Sequence, residues 1–294
     1  MLLGFIERET GKSPAELALE DLDAPQIGAF LDHLEQDRCN SVRTRNSRLA
    51  AIRSLFRFAA LRHPEHAGLI KRVLAIPQKR FERKIVSFLT NEEIEALLAA
   101  PDRSSFLGRR DHALLLLAIQ TGLRVSELVG LKCEDVALGA GSHVRCVGKG
   151  RKQRATPLTA TTAAVLKAWL NELDADPADA LFPTRRGTPL SRYGVTVLVA
   201  RHADEAAASC PSLAAMKVSP HVLRHTAAMR LLHAGVDTSV IALWLGHESV
   251  ETTQIYVHAD LSLKERALAR TAPISSTPGR YRPPDQLIAF LESL

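Results

Sequence analysis

Cysteine is scarce in this sequence. Its four copies, Cys39, Cys133, Cys146 and Cys210, lie far apart and never form a C-x-x-C pair. That spacing argues against a disulfide framework or a zinc site and makes reduced thiols in a cytoplasm the expectation. Long apolar runs are missing too, none approaching the ~18–20 residues of a membrane span. The opening MLLGFIERETGK holds an apolar patch too short for a signal peptide and no small-residue cleavage site. No Walker loop, G-x-G-x-x-G, G-x-S-x-G or H-E-x-x-H signature occurs. Nor is a pair of carboxylates placed for glycosidase or two-metal work. Tyrosine is rare, with only Tyr193, Tyr256 and Tyr281 present.

What the chain does have is length for two domains, 294 residues, and an excess of positive charge, +6. The distribution says more than the total. Nine acids precede residue 38 against Arg8 and Lys12, whereas Arg38 to Lys84 holds thirteen bases against Glu65 and Glu82, a net +11. A solvated face with a charged linker is one reading of such a run. Its one-signed character favours the other, a surface for a polyanion.

Residues 1–76 read as a helical domain. Leu2, Leu3, Phe5 and Ile6 open an apolar patch, Ala24-Pro25 starts a second segment ending near Gln36, and Ser41 caps a third. In that third segment Leu49, Ile52 and Phe56 form a core stripe at helical spacing, and Arg53 and Arg57 flank it. GLIKRVLAI ends at Pro77, and residues 77–87 form a basic linker. Residues 88–272 read as a second domain. TNEE at 90–93 is a capping box, DHALLLLAIQ is a strongly apolar helix stopped by Gly122, and LRVSELVGL is a short helix carrying Arg124 and Glu127. The period then changes: HVRCVG alternates, GKGRK is a turn, and QRATPL returns, which predicts a β-hairpin with Lys149 at its tip. TATTAAVLKAWLNELD and YGVTVLVARHADEAAA are helical, and SCPSLAAMKVS is a loop. A Pro-rich spacer leads to a tail, 273–294, ending in the short amphipathic segment PDQLIAFLESL.

Between Ser219 and Tyr256 the chain gathers His221, Arg224, His247 and Tyr256, each at an element boundary where side chains can face a cleft. With Arg124 and Lys149 the set is almost wholly cationic or proton-donating. Such a set suits a phosphodiester whose negative charge grows in the transition state. Arginine binds those oxygens bidentately and stays charged, each good contact contributing roughly 1.5–3 kcal/mol. A lysine can protonate a leaving alkoxide, and a tyrosine hydroxyl can attack phosphorus to form a phosphotyrosine. Fixed cations can carry the charge neutralisation without a metal.

TGLRVSEL (121–128), VGKGRKQR (147–154), SPHVLRHTAA (219–228), LGH (245–247) and TTQIY (252–256) resemble the boxes of the tyrosine recombinase, or phage integrase, family. The likeness is greatest to Xer recombinases and mobile-element integrases. It spans 121–256 in motifs and about 1–272 in layout. The resemblance implies a mainly α (α+β) fold, with a helical core-binding domain and a mostly helical catalytic domain carrying a small antiparallel sheet. It implies that Arg124 and Arg224 clamp the scissile phosphate. Lys149 would protonate the 5′-oxygen, His221 would act as general acid/base, His247 would hydrogen-bond a non-bridging oxygen, and Tyr256 would be the nucleophile. Glu127 would hold Arg124.

Taken singly, Arg124 reads as a surface cation, His221 and His247 as helix-end residues, and Glu127 as half of a surface pair. The boxes select the functional reading. Arg151 and Lys152 share the turn of Lys149. His225, beside Arg224, reads as a packing or second-layer histidine. The expected DNA contacts are Arg43, Arg45, Arg48, Arg53, Arg57, Lys79, Arg80, Arg83, Lys84, Arg151 and Lys152.

The expected partner is double-stranded DNA at a specific recombination site. The resemblance implies a homo-tetramer on synapsed DNA, with a paralogous recombinase as an alternative companion, no cofactor, no metal and no membrane. Three departures stand out: a short start, a longer loop around Ser209–Lys217, and the tail, which could dock on a neighbouring protomer or fold back. A mobile-element integrase or transposase is the leading reading of biological role. A chromosome-dimer resolvase, a type IB topoisomerase-like enzyme and a non-cleaving DNA-binding protein are the alternatives.

Overall fold

Capping chemistry written into the sequence sets where most helices begin. In the computed structural model, which describes residues 1–81, 86–148 and 153–247 together with Thr253 and Tyr256, side-chain oxygens of Asp23, Ser41, Thr90, Ser105, Thr159, Ser191, Ser219 and Asp237 each accept a backbone N–H from a first helical turn. One such cap contributes about 1 kcal/mol. The chain divides into two compact units, Met1–Lys84 and Ile85–Leu294.

The first unit holds α1 (Leu2–Thr10), α2 (Ala24–Gln36), α3 (Val42–Ala60) and α4 (Ala67–Ala75), with a 3₁₀ turn at Leu19–Leu22. Its core is made of Phe5 and Ile6 of α1, Ile27, Phe30, Leu31 and Leu34 of α2, Leu49, Ile52 and Phe56 of α3, and Ile70 and Val73 of α4. Each fully buried Leu, Ile or Phe contributes roughly 1.5–3 kcal/mol. Beyond α4 the backbone is tied to α3. Asn46 accepts the Lys79 N–H at 3.1 Å and donates to the Lys79 carbonyl at 2.8 Å.

The second unit is built around α6 (Phe106–Thr121). Ala113, Leu114, Leu115, Leu117, Ala118 and Ile119 are all buried, so the apolar residues wrap the helix rather than form one stripe. Against it pack α8 (Ala160–Leu173) and α10 (Pro220–His233), while α5 (Asn91–Ala99) packs on both α6 and α9 (Arg192–Ala206). The short α7 (Val125–Val129) follows α6, and α11 (Thr238–Leu245) packs on α10. Between α7 and α8 lies an antiparallel sheet of order β1-β2-β3: β1 (Val136–Ala137), β2 (His143–Val147) and β3 (Gln153–Pro157). In β2 the alternation is real: Val144 and Cys146 are buried, Arg145 and Val147 exposed. Among the described residues no helix is long and apolar enough to cross a membrane.

The mainly helical fold with a small antiparallel sheet agrees with the sequence reading. Three local expectations change. Arg124 is the residue before α7 rather than inside it. The loop SCPSLAAMKVS contains a 3₁₀ turn, Pro211–Ala215, which buries Leu213 and brings Ser212 Oγ to donate to Glu93 Oε1 at 2.6 Å. A third strand, β1, joins the hairpin; two residues carry no alternation to betray it. The segments LSLKERALAR and PDQLIAFLESL, and the tail 273–294, lie outside the described residues.

Candidate active site

Two glycines that end helices organise the site. Gly122 closes α6 with φ 64° and Gly246 closes α11 with φ 63°, a left-handed conformation that favours glycine. Neither tolerates a side chain. A Cβ on Gly122 would lie 2.7 Å from Leu245 Cδ2, and one on Gly246 would lie 2.9 Å from Arg154 Nη1. The carbonyls at these helix ends take the two arginines. Arg224 donates to the Gly122 carbonyl at 2.6 Å and to the Leu245 carbonyl at 2.7 Å. Arg124 donates to the Gly246 carbonyl at 2.9 Å. The negative ends of two helices thus meet two cations, a favourable arrangement. Burial first, then the neighbouring Arg124, pulls Arg224 down to about 10, so it stays charged at neutral pH.

Glu127 sits between two arginines. Arg154 of β3 grips it with two hydrogen bonds of 2.8 Å, Nη1 to Oε1 and Nη2 to Oε2. Arg124 donates to it through its backbone N–H at 2.7 Å and through Nη1 at 3.1 Å. Burial pushes the Glu127 pKa up, but the bonds from Arg154 and the Arg124 backbone, with both guanidinium charges, outweigh it and leave the carboxyl below its usual range. The bidentate pair ties β3 to the start of α7. Arg154 stood in the quoted VGKGRKQR box without a role. Its signal was the carboxylate of Glu127, which needed more than one cation once buried.

α10 supplies the histidines. Ser219 caps it and Pro220 occupies its first position, where the missing N–H costs nothing. His221 therefore stands exposed in the first turn, and His225 follows one turn later on the same face, ring centroids 4.1 Å apart. Tyr256 is buried, and its hydroxyl lies 3.0 Å from His225 Nδ1. Of the two readings of His225, packing or second layer, this contact favours the second: it touches the candidate nucleophile. The His247 ring stacks on Tyr256 with centroids 6.4 Å apart, and its Nδ1 lies 2.8 Å from Thr253 Oγ1. Burial and then the surrounding cations hold both His225 and His247 at about 4, hence neutral. Burial raises the Tyr256 pKa, with Arg224 and Arg124 partly offsetting it.

Of the sequence-predicted set, Arg124, Glu127, Arg224, His247 and Tyr256 are linked through this web, and His221 joins through His225. Lys149, Arg151 and Lys152 lie outside the described residues, as do Arg83 and Lys84. In the first unit Arg43, Arg48, Arg57, Lys79 and Arg80 are exposed. Arg45 and Arg53 are not free in this way. Arg45 is buried against Glu35 at 3.4 Å and donates to the Pro77 carbonyl, and Arg53 donates to the Ile76 carbonyl. Their guanidiniums hold the segment after α4. Among the described residues no group of three or more His, Cys, Asp or Glu is placed to hold a metal.

Residues 87–262 match the model of the phage integrase family. The chain is 57% identical over 293 residues to a protein named as an integrase/recombinase in Sinorhizobium fredii, covering 100% of this chain and 88% of that one. A second integrase/recombinase of the same organism is 41% identical, covering 76% of this chain and 81% of that one. The tyrosine recombinase XerC of Roseiflexus castenholzii is 34% identical, over 92% of this chain and 85% of that protein. Among solved structures, the XerH site-specific recombinase bound to a palindromic difH substrate superposes with a TM-score of 0.69 at 26% identity, over 90% of this chain and 76% of that one. The chain belongs to the phage integrase family, as a tyrosine site-specific recombinase.

Proposed function

We propose that this chain cuts and rejoins double-stranded DNA at a specific site through a 3′-phosphotyrosine on Tyr256, without metal or ATP, and serves a mobile element as integrase or transposase. One observation carries the chemistry. Arg124 and Arg224, anchored on the facing ends of α6 and α11, adjoin a buried tyrosine whose hydroxyl is already hydrogen-bonded. In this reading the two guanidiniums take the non-bridging oxygens of the scissile phosphate, and His247 and the amino end of α10 with His221 add donors. Tyr256 Oη attacks phosphorus, the bond to the 5′-oxygen breaks, and Lys149 supplies the proton that oxygen needs. The phosphodiester energy is kept in the protein–DNA bond, so a partner strand's hydroxyl can reverse the step.

The mobile-element role draws on the relative named integrase/recombinase, matched along the whole of this chain. Function as a homo-tetramer on two synapsed sites belongs to the same proposal. A mixed assembly with a paralogous recombinase is the second reading, favoured by the two such relatives in one organism.

The test is covalent capture. The full chain is incubated with a pool of nicked suicide duplexes of randomised core, and duplexes that survive denaturant bound to protein are recovered and sequenced. Capture by the wild type and none by Tyr256→Phe is expected. Equal capture by Tyr256→Phe sinks the assignment.

A further inference from the structure

Tyr256 is 2% exposed and His225 8%. A hydroxyl that ionises in so enclosed a place must hand its proton to a protein group, because water does not surround it. The described cations nearby, Arg124 and Arg224, are already protonated and cannot accept one. His247 lies flat against the tyrosine ring, 13° from parallel, and its Nδ1 is engaged with Thr253 Oγ1. His225 differs. Its Nδ1 points at the tyrosine oxygen from 3.0 Å, with the ring edge-on at 67°.

We propose that His225 is a catalytic residue, the acceptor of the Tyr256 proton during cleavage and its donor during rejoining. The inference rests on Tyr256 being the nucleophile. As the Oη–P bond forms and the P–O5′ bond breaks, the phenolic proton moves to Nδ1, leaving an imidazolium. The departing 5′-oxygen takes its proton from the separate cation assigned to it, so protons balance on both sides. Before DNA binds, burial and then His221, Arg224 and His247 keep His225 neutral, and accepting the proton requires its Nε2–H tautomer, whose Nδ1 lone pair faces the hydroxyl. A scissile phosphate entering against Arg124 and Arg224 brings negative charge that opposes those cations and favours the imidazolium. In rejoining the order reverses: His225 returns the proton to the tyrosine oxygen as it leaves phosphorus.

The test separates proton transfer from pocket shape, using the duplex captured by the wild-type chain. His225→Gln and His225→Ala should form the covalent adduct about a hundredfold or more slowly, the usual range for losing a general acid–base group. A second substrate carries a 3′-(4-nitrophenyl) phosphate, whose phenolate leaves without a proton. On a Tyr256→Phe background, strand joining from it should change by less than about threefold when His225 is replaced, since no proton is then required of it. Adduct formation by His225→Gln at the wild-type rate overturns the inference. So does nitrophenyl joining that falls as steeply as adduct formation, which would make His225 a shaper of the pocket. Adduct formation by Tyr256→Phe would instead fail the functional reading itself.

Discussion

Glu127 makes four contacts with two arginines, and removing it tests how the site is braced. Its side chain is 3% exposed and that of Arg154 13%. Deleting one partner of a buried pair leaves the other uncompensated, at a cost of about 3–5 kcal/mol. Arg154→Ala leaves Glu127 its two bonds from Arg124, so it should lower stability by less than that full amount in urea unfolding. Glu127→Ala combined with Arg154→Ala should cost less than the sum of the singles. The histidines set an acid limit. Their folded pKa values, about 4 for His225 and His247, lie below the ordinary value, so the unfolded chain binds more protons in between. Stability is thus fully present above about pH 6.5 and falls as pH drops from there towards 4. Thermal unfolding across that window checks this, and His225→Gln should flatten the decline. At this scale the boxes pointed to six candidate residues, of which the structure brings five together, while Lys149 lies outside the described residues. The sequence concealed Arg154 and the role of His225, because what each touches is decided by residues far along the chain: Glu127 is 27 positions from Arg154, and Tyr256 31 from His225.

The helix ends around the site are local chemistry, and they were legible. Ser41, Thr90 and Gly122 each mark a boundary that the structure keeps. β1 and the Pro211–Ala215 turn were not, since tertiary pairing makes them; β1 exists only through its register with β2, Val136 opposite Val144. Forcing a side chain onto a glycine boundary should damage both the helix and its arginine. Gly246→Ala incurs the left-handed penalty of about 1–2 kcal/mol and drives a Cβ into Arg154. Lower thermal stability with loss of covalent capture is expected. Ser219→Ala should cost only about 1 kcal/mol, with capture retained at temperatures well below unfolding.

Over the whole molecule, the exposed bases of α3 and the segment after α4 make the first unit a polyanion surface in our reading. If Arg43, Arg48 and Arg57 each neutralise a phosphate, replacing all three with alanine should reduce the slope of log affinity against log salt by about 3. Filter binding from low to moderate salt measures it; an unchanged slope would remove these residues from the contact. Arg45→Ala should act differently, lowering the stability of its unit through lost internal bonds. The second unit is closed by bonds that span long stretches of chain. Arg224 reaches back 102 residues to Gly122, Arg124 reaches forward 122 to Gly246, and the Leu89 N–H donates to Thr226 Oγ1 across 137. Contacts of such sequence separation form late, after the local helices. During synthesis neither arginine can find its final place until α11 and its closing glycine have left the ribosome. A growing chain therefore lacks the carbonyls that seat both arginines, and premature release short of Leu245 yields a fragment in which neither is anchored on α11.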